Sequence, residues 1–256
     1  MICIRIGILS IGNEIVKGRT VNTNASDISS FLTNSGYEIS YVLACRDIKE
    51  EIGNSLEFLV KKCDIIITTG GLGPTVDDIT VESIALYLKL ELVINEHAYS
   101  EISTKLTKRG MEFTPERLKM ALMPAGSEIL HNTVGTAPGM ILKHDGKIIF
   151  SIPGVPSEMR AMLPGISSFL GPSGMEYYSL EYDVKGLLES KIAPYVKELI
   201  KKYNYEMLVK THPESGNTLN RKVTIEIYGY GKSKKRLETL AQEIKEEIDN
   251  IILTKL

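Results

Sequence analysis

The sequence predicts a doubly wound, mostly parallel α/β sheet followed by a small α+β domain. Three observations lead there. β-Branched runs alternate with helical patterns over roughly the first ninety residues. The run Asp64-Ile65-Ile66-Ile67-Thr68-Thr69 is continuously apolar in its middle, as a strand covered by helices on both faces would be. The stretch Gly171-Pro172-Ser173-Gly174 has strong linker composition and separates this series from a second strand-and-helix set.

Taken in order, Ile2 to about Ile11 is a β-branched run that reads as the first strand, followed by the turn Gly12-Asn13-Glu14. A helical pattern runs from about Asn24 to Ser35 and Gly36 ends it. The alternation continues with a strand Tyr37 to Ala44, a helix Ile48 to Lys62, the central strand Asp64 to Thr69 and a helix Ile79 to Lys89. Beyond these, Thr114-Pro115 has the form of an N-cap and first helical position. Met140 to Ile152 reads as two strands joined at Asp145-Gly146, an antiparallel hairpin expected to decorate the sheet. Val155 to Leu170 is helical, with Pro164 expected to kink or end it. These limits give a first domain at 1–170 and a second at 175–256. The second reads as strand Tyr177 to Val184, helix Leu188 to Tyr203, strands Met207 to Thr211 and Lys222 to Tyr230, and helix Lys234 to Ile252.

Bulk properties narrow the function classes. With 256 residues, 43% hydrophobic and 24% charged, the chain can bury one full core and a smaller one. A net charge of −2 provides no field that would gather nucleic acid or an anionic membrane, and neither is expected as a partner. The opening MICIRIGILSIG is too short to span a bilayer and lacks the basic start of a signal peptide. Cys3, Cys45 and Cys63 form no Cys-x-x-Cys pair, which argues against disulfides or a zinc cluster and for a reducing cytoplasm. His97, His131, His144 and His212 show no metal-ligand spacing.

Four loops could carry chemistry. In Thr68-Thr69-Gly70-Gly71-Leu72-Gly73-Pro74-Thr75-Val76-Asp77-Asp78-Ile79-Thr80, three glycines let backbone amides face a ligand at the start of a helix, where phosphate is favoured. Alternatively, the glycines serve only a tight turn and Asp78 or Thr80 caps the helix. Asp77 and Asp78 favour the first reading if a divalent cation separates them from phosphate. The second loop, Gly12 to Asn24, is rich in amide, carboxylate and hydroxyl groups, and its plain reading is a polar loop with Asn22 or Asn24 as N-cap. Its position speaks for function, since strands one and three of such a sheet are usually neighbours. Asp47 follows the second strand and precedes Glu50 by three, a capping-box-like spacing. Finally, Pro153-Gly154-Val155-Pro156-Ser157-Glu158-Met159 fixes a loop ahead of a helix, with Pro156 at its first position and Ser157 and Glu158 as caps or ligand contacts.

Together, and in their order and spacing, Gly12-Asn13-Glu14, Asn22-Thr23-Asn24, Thr69 to Thr75, Asp77 to Thr80 and Pro153 to Met159 resemble the CinA family. The resemblance covers the whole chain. Residues 1–170 are similar to the molybdopterin-binding fold shared with MogA, MoaB and part of MoeA, and the rest to the KH-like domain that follows it in CinA proteins. No counterpart of the CinA nicotinamide mononucleotide deamidase domain is expected, so deamidation is not carried over. The resemblance implies an ADP-ribose pyrophosphatase that needs a divalent metal, magnesium or cobalt, and yields AMP and ribose 5-phosphate. It implies that Asp47 and Asp78 are catalytic, matching two aspartates of MogA-like proteins, and that Asp78, Asp77 and Asp47 hold the metal. The amides of Gly70, Gly71 and Gly73 would hold the pyrophosphate. Further substrate contacts would come from Gly12, Asn13, Glu14, Asn22, Asn24, Pro74, Thr75, Thr80, Pro153, Gly154, Pro156, Ser157 and Glu158. A homo-oligomer, dimer or trimer, is implied as well. Two departures stand out: Asn13 occupies a position where many relatives carry aspartate, and Leu72 replaces the threonine of the MogA loop, which points towards CinA. The same fold also serves a molybdopterin adenylyltransferase or a non-catalytic nucleotide-binding module.

Overall fold

The computed structural model describes residues 4–185, 188–213 and 222–255. It divides into two compact units, Met1–Thr33 with Tyr37–Gly171 and Asn34–Gly36 with Pro172–Leu256. The first unit carries β1 (Ile6–Ile11), α1 (Asn13–Val16), α2 (Thr23–Asn34), β2 (Ile39–Cys45), α3 (Lys49–Lys62), β3 (Ile65–Thr69) and α4 (Thr80–Leu88). There follow β4 (Leu92–Ile94), α5 (Glu96–Lys108), α6 (Pro115–Leu118), a 3₁₀ turn (Lys119–Ala121) and β5 (Leu122–Pro124). The unit closes with β6 (Glu128–Leu130), β7 (Gly139–His144), β8 (Lys147–Ile152) and α7 (Pro156–Leu170).

The main sheet has six strands in the order β2-β1-β3-β8-β7-β6. β1 runs parallel to both β2 and β3, and β8 runs parallel to β3. Every residue of β1 and β3 is buried, because helices cover both faces. Alternation along the strands divides the core. Leu9, Ile66 and Ile149 face Ile52, Leu56 and Ile84 on one side, whereas Ile8, Ile67 and Phe150 face Ile28, Leu32 and Met162 on the other. Each such side chain contributes on the order of 1.5–3 kcal/mol by leaving water.

The structure differs from the sequence expectations at five places. The β7–β8 hairpin turns at Asp145 and Gly146, both with positive φ, but it does not decorate the sheet. β8 lies between β3 and β7 as a full parallel member, since Ile149, Phe150 and Ile152 complete both core faces. α7 does not end at Pro164 but runs on to Leu170, because Met159, Met162, Leu163 and Ile166 are buried on both sides of the proline and offset its missing hydrogen bond. The turn expected at Asn13 is the short helix α1. β1 begins at Ile6; Ile2 and Cys3 lie outside the described residues. Between residues 90 and 113, β4 and α5 escaped notice, although Asn95 caps α5 by accepting from the Ala98 amide at 3.0 Å.

The second unit consists of β9 (Glu176–Lys185), α8 (Glu189–Lys202), β10 (Leu208–Pro213), β11 (Lys222–Gly231) and α9 (Lys234–Lys255). Its three strands form an antiparallel sheet in the order β10-β11-β9. Val223, Ile225 and Ile227 alternate inward against Ile192, Leu199, Leu237 and Ile244. Among the described residues, no helix is long and apolar enough to cross a membrane. Cys45 and Cys63 are buried free thiols, and burial pushes Cys45 up to about 11.

Candidate functional site

β1, β3 and β8 end side by side at Ile11, Thr69 and Ile152, and the loops that leave them enclose a cavity of about 460 Å³. The central wall is the glycine loop. The Gly70 amide donates to the Ile152 carbonyl at 3.1 Å and extends the β3–β8 ladder by one residue. A Cβ at Gly70 would stand 2.2 Å from the Ile11 carbonyl oxygen, and φ of +104° excludes other residues in any case. At Gly71 (φ +67°) a Cβ would stand 2.3 Å from Thr80 Oγ1. Thr80 is fully buried beneath the loop; its hydroxyl donates to the Gly70 carbonyl at 2.8 Å and its amide to the Gly71 carbonyl at 3.2 Å. These bonds leave the consecutive amides of Gly71, Leu72 and Gly73 without a partner among the described residues. Successive unpaired amides are the groups from which anion-binding nests are built. The Gly70 amide, committed to Ile152, is not among them, which corrects the expected pyrophosphate contact.

The acidic residues occupy fixed positions around this loop. Asp78 does not cap α4, whose N-cap is Ile79; its Oδ2 accepts from the Thr75 amide at 2.9 Å and the Thr75 hydroxyl at 2.6 Å. Asp47 does not cap α3 either. Its Oδ2 accepts from the Asn13 amide at 2.7 Å, 34 residues away, and so ties the end of β2 to the loop after β1. Partial burial, then the nearby carboxylates of Glu14 and Asp77, push Asp47 above the usual carboxylate range against the lowering effect of the Asn13 bond.

Asn24 forms the floor. It is buried, and its Nδ2 donates to Thr69 Oγ1 at 3.0 Å and to the Gly154 carbonyl at 2.8 Å. The Gly154 bond settles the amide orientation, because a carbonyl only accepts. Asn24 Oδ1 is then left buried with no protein partner. The far rim is the loop 132–137, organised by Asn132, which is 1% exposed. Asn132 donates to Glu158 Oε2 at 2.7 Å and to the Ala137 carbonyl at 2.8 Å, while its Oδ1 accepts from the Gly135 amide at 2.8 Å.

Gly12, Glu14, Asn24, Asp47, Gly70, Gly71, Gly73, Pro74, Asp77, Asp78, Pro153, Gly154 and Glu158 thus line one cavity. Six expected contacts do not line it. Asn13 acts through its amide, Asn22 caps α2 by accepting from Ala25 N at 3.3 Å, and Thr75 is bound to Asp78. Thr80 is buried under the loop, and Pro156 and Ser157 open α7 on its exposed surface. Residues missed from sequence are Thr136, Ala137 and Met120 on the wall and Asn132 behind it. The run Asn132-Thr133-Val134-Gly135-Thr136-Ala137-Pro138-Gly139 carries the turn composition that could have marked the rim.

Fold and cleft define the class of protein: an open α/β sheet with a cavity at the carboxyl ends of parallel strands, where such sheets commonly bind ligands. More specifically, residues 7–170 match the family model described as probable molybdopterin binding domain, and the chain belongs to that family. A protein of Caldivirga maquilingensis is 40% identical over 245 residues, which cover 96% of this chain and 94% of that one. One of Sulfurisphaera tokodaii is 42% identical over 95% of this chain and 93% of its own length. A crystal structure of CinA from Thermoplasma acidophilum, itself of unknown function, is 41% identical with a TM-score of 0.61 and covers 65% of this chain and 98% of that one.

Proposed function

We propose that this chain is a metal-dependent nucleotide pyrophosphatase of the CinA type, with ADP-ribose as its favoured substrate and AMP and ribose 5-phosphate as products. One observation carries the reading: the unpaired amides of Gly71, Leu72 and Gly73 border a cavity lined, among the described residues, by five carboxylates, Glu14, Asp47, Asp77, Asp78 and Glu158, and by no lysine or arginine. An anion on these amides needs a counter-charge that the wall does not provide.

Among the described residues, no three acidic, histidine or cysteine side chains converge as the ligands of a resident metal would. The site therefore does not fit a metal caged by protein alone. It suits an ion that arrives with the diphosphate and takes phosphate oxygens together with one or two carboxylates, as magnesium commonly does. Asp78, with Asp77 beside it, is the proposed contact to that ion, magnesium or cobalt, which when bound would polarise the phosphoryl oxygens.

The chain's own groups account for the rest of the reaction. The amides hold one phosphate, and Asp78 keeps the loop in place through Thr75. Asp47, which lines the cavity and is anchored by the Asn13 amide, accepts the proton of the attacking water. A bond forms from that water to phosphorus as the bridging P–O bond breaks, releasing the two monophosphates.

The test is AMP release from ADP-ribose by the pure protein with magnesium, cobalt or chelator, and with Asp78→Ala in parallel. Metal-dependent release that the variant lacks supports the proposal; absence of release under every condition removes it. The family's description names molybdopterin binding, which a second reading shares, a molybdopterin adenylyltransferase; ATP turnover dependent on molybdopterin would establish it. Tight nucleotide binding that ignores chelators, with no turnover, would instead indicate a binding module. The proposal further includes a KH-like second unit and a dimer or trimer in solution, which light scattering would reveal.

A further inference from the structure

Helix α5 carries two stripes of residues spaced four apart. Ala98, Ile102 and Leu106 are buried in the core and fix the helix, while Glu101, Lys105 and Arg109, the last its C-cap, meet the loop 131–137. Glu101 accepts from the Asn132 amide at 3.2 Å and, because a carboxylate only accepts, from His131 Nδ1 at 2.6 Å. Lys105 Nζ donates to Glu101 at 2.5 Å and also to the Asn132 carbonyl. Arg109 forks over two groups further along: its Nη2 donates to the Val134 carbonyl at 3.0 Å and its Nη1 to Thr136 Oγ1 at 2.7 Å. One helix face thus holds the loop along its length, and Thr136 at its far end lines the cavity.

We propose that Arg109 is a positioning residue that presents Thr136 to the ligand as a hydrogen-bond donor for an anionic oxygen. The proposal deepens the reading of the cavity given above and rests on it. A guanidinium has donors only, so at this contact the threonine oxygen accepts and its own hydrogen is left for another partner. Among the described residues that hydrogen has no acceptor. The carboxylates of the wall accept hydrogen bonds and repel an anion, whereas the Thr136 hydroxyl donates without adding charge. Arg109, one hydrogen bond behind it, polarises that hydroxyl, since bonds linked in a chain strengthen one another. A positive charge absent from the wall thus acts on the ligand through a neutral group.

The test is calorimetric titration of the full chain with inorganic diphosphate in magnesium. Thr136→Val removes the hydroxyl and is expected to weaken binding about tenfold or more, whereas Thr136→Ser, which keeps it, should stay within about twofold of wild type. Arg109→Ala is expected to lose a factor similar to that of Thr136→Val. The double variant should lose no more than either single one, because the arginine acts through the threonine. Losses that multiply in the double variant, or wild-type affinity in folded Thr136→Val, would overturn the assignment, and so would absence of diphosphate binding by wild type. Should Arg109→Ala fail to fold, Arg109→Gln, which keeps a donor without the charge, takes its place in the cycle with the same non-additivity expected. The hydrolase reading fails separately, by absence of AMP release from ADP-ribose while the diphosphate titrations keep their pattern.

Discussion

Asn24 and Gly154 are joined by a hydrogen bond of 2.8 Å between residues 130 positions apart, the Asn24 amide donating to the Gly154 carbonyl beneath the cleft. The bond brings the start of α2 to the loop before α7. A Cβ at Gly154 would lie only 3.2 Å from Gly70 Cα, so the floor also braces the glycine loop. Asn24→Asp removes both amide hydrogens and sets a carboxylate against a carbonyl. Thermal unfolding should show a loss of about 3–5 kcal/mol, as for a buried charge without its partner. Asn24→Ala should cost less, about 1–3 kcal/mol.

Gly70 and Gly110 give a matched pair. Both have positive φ, but a Cβ at Gly70 meets the Ile11 carbonyl whereas one at Gly110 meets nothing within 4 Å. Gly110→Ala is expected to cost about 1 kcal/mol from the backbone alone. Gly70→Ala should cost clearly more, because strand ends must separate to admit the methyl group. Denaturant midpoints of the two variants measure the difference.

Asp78→Ala removes the acceptor of two Thr75 hydrogen bonds, both on the exposed side of the loop. Stability should fall by about 1–2 kcal/mol, within what the fold tolerates, while AMP release from ADP-ribose is lost. Circular dichroism and the activity assay separate the two effects. Global unfolding would make Asp78 a structural residue only.

Asp47→Asn tests a carboxylate held in place against its own preference. Its folded pKa lies above the unfolded value, so its effect on stability is most favourable below the unfolded value and is lost as pH rises through the folded one. The asparagine carbonyl keeps the Asn13 bond and carries no charge. The variant should therefore be slightly more stable than wild type at neutral pH, with the gain vanishing in acid. Its pyrophosphatase activity should nevertheless fall sharply. Melting curves between pH 3 and 8 give the first result and AMP release the second.

Asn132→Ala should loosen the rim without touching ligand directly. It removes the links from the 132–137 loop to Glu158 and leaves buried backbone groups unmatched, at a cost of about 2–4 kcal/mol. Hydrogen exchange should accelerate at Gly135 before it does at Gly70.

Much of the sheet was legible because its signals are local. Ile65 to Thr69 had to be a covered strand, and the positive φ values at Asp145 and Gly146 follow from their residue types. The place of β8 beside β3 was not legible, because an apolar run shows burial but not its neighbour. The glycine loop and its flanking acids stood out as composition. What each group does there depends on distant partners: the Gly70 amide is taken by Ile152, and the spacing of Asp47 and Glu50 suggested a cap while its true partner was Asn13. A cavity of about 320 Å³ behind the loop draws on Leu92, Leu122 and Met123, apolar residues that stand in no motif and that only folding brings together.

The parallel pairing of β3 with β8 has a consequence for synthesis. The ribosome completes β1, β2 and β3 with their helices well before Lys147–Ile152 emerges, and until then the edge of β3 that β8 will cover has no partner. The Gly70 amide, the Asn24 side chain and the Asn132 network all wait for residues 152–158. A nascent chain released before that point presents a sticky strand edge and no finished cleft. The ligand site is thus completed late in translation of the first unit, and early stop codons should yield aggregating fragments rather than partly active ones.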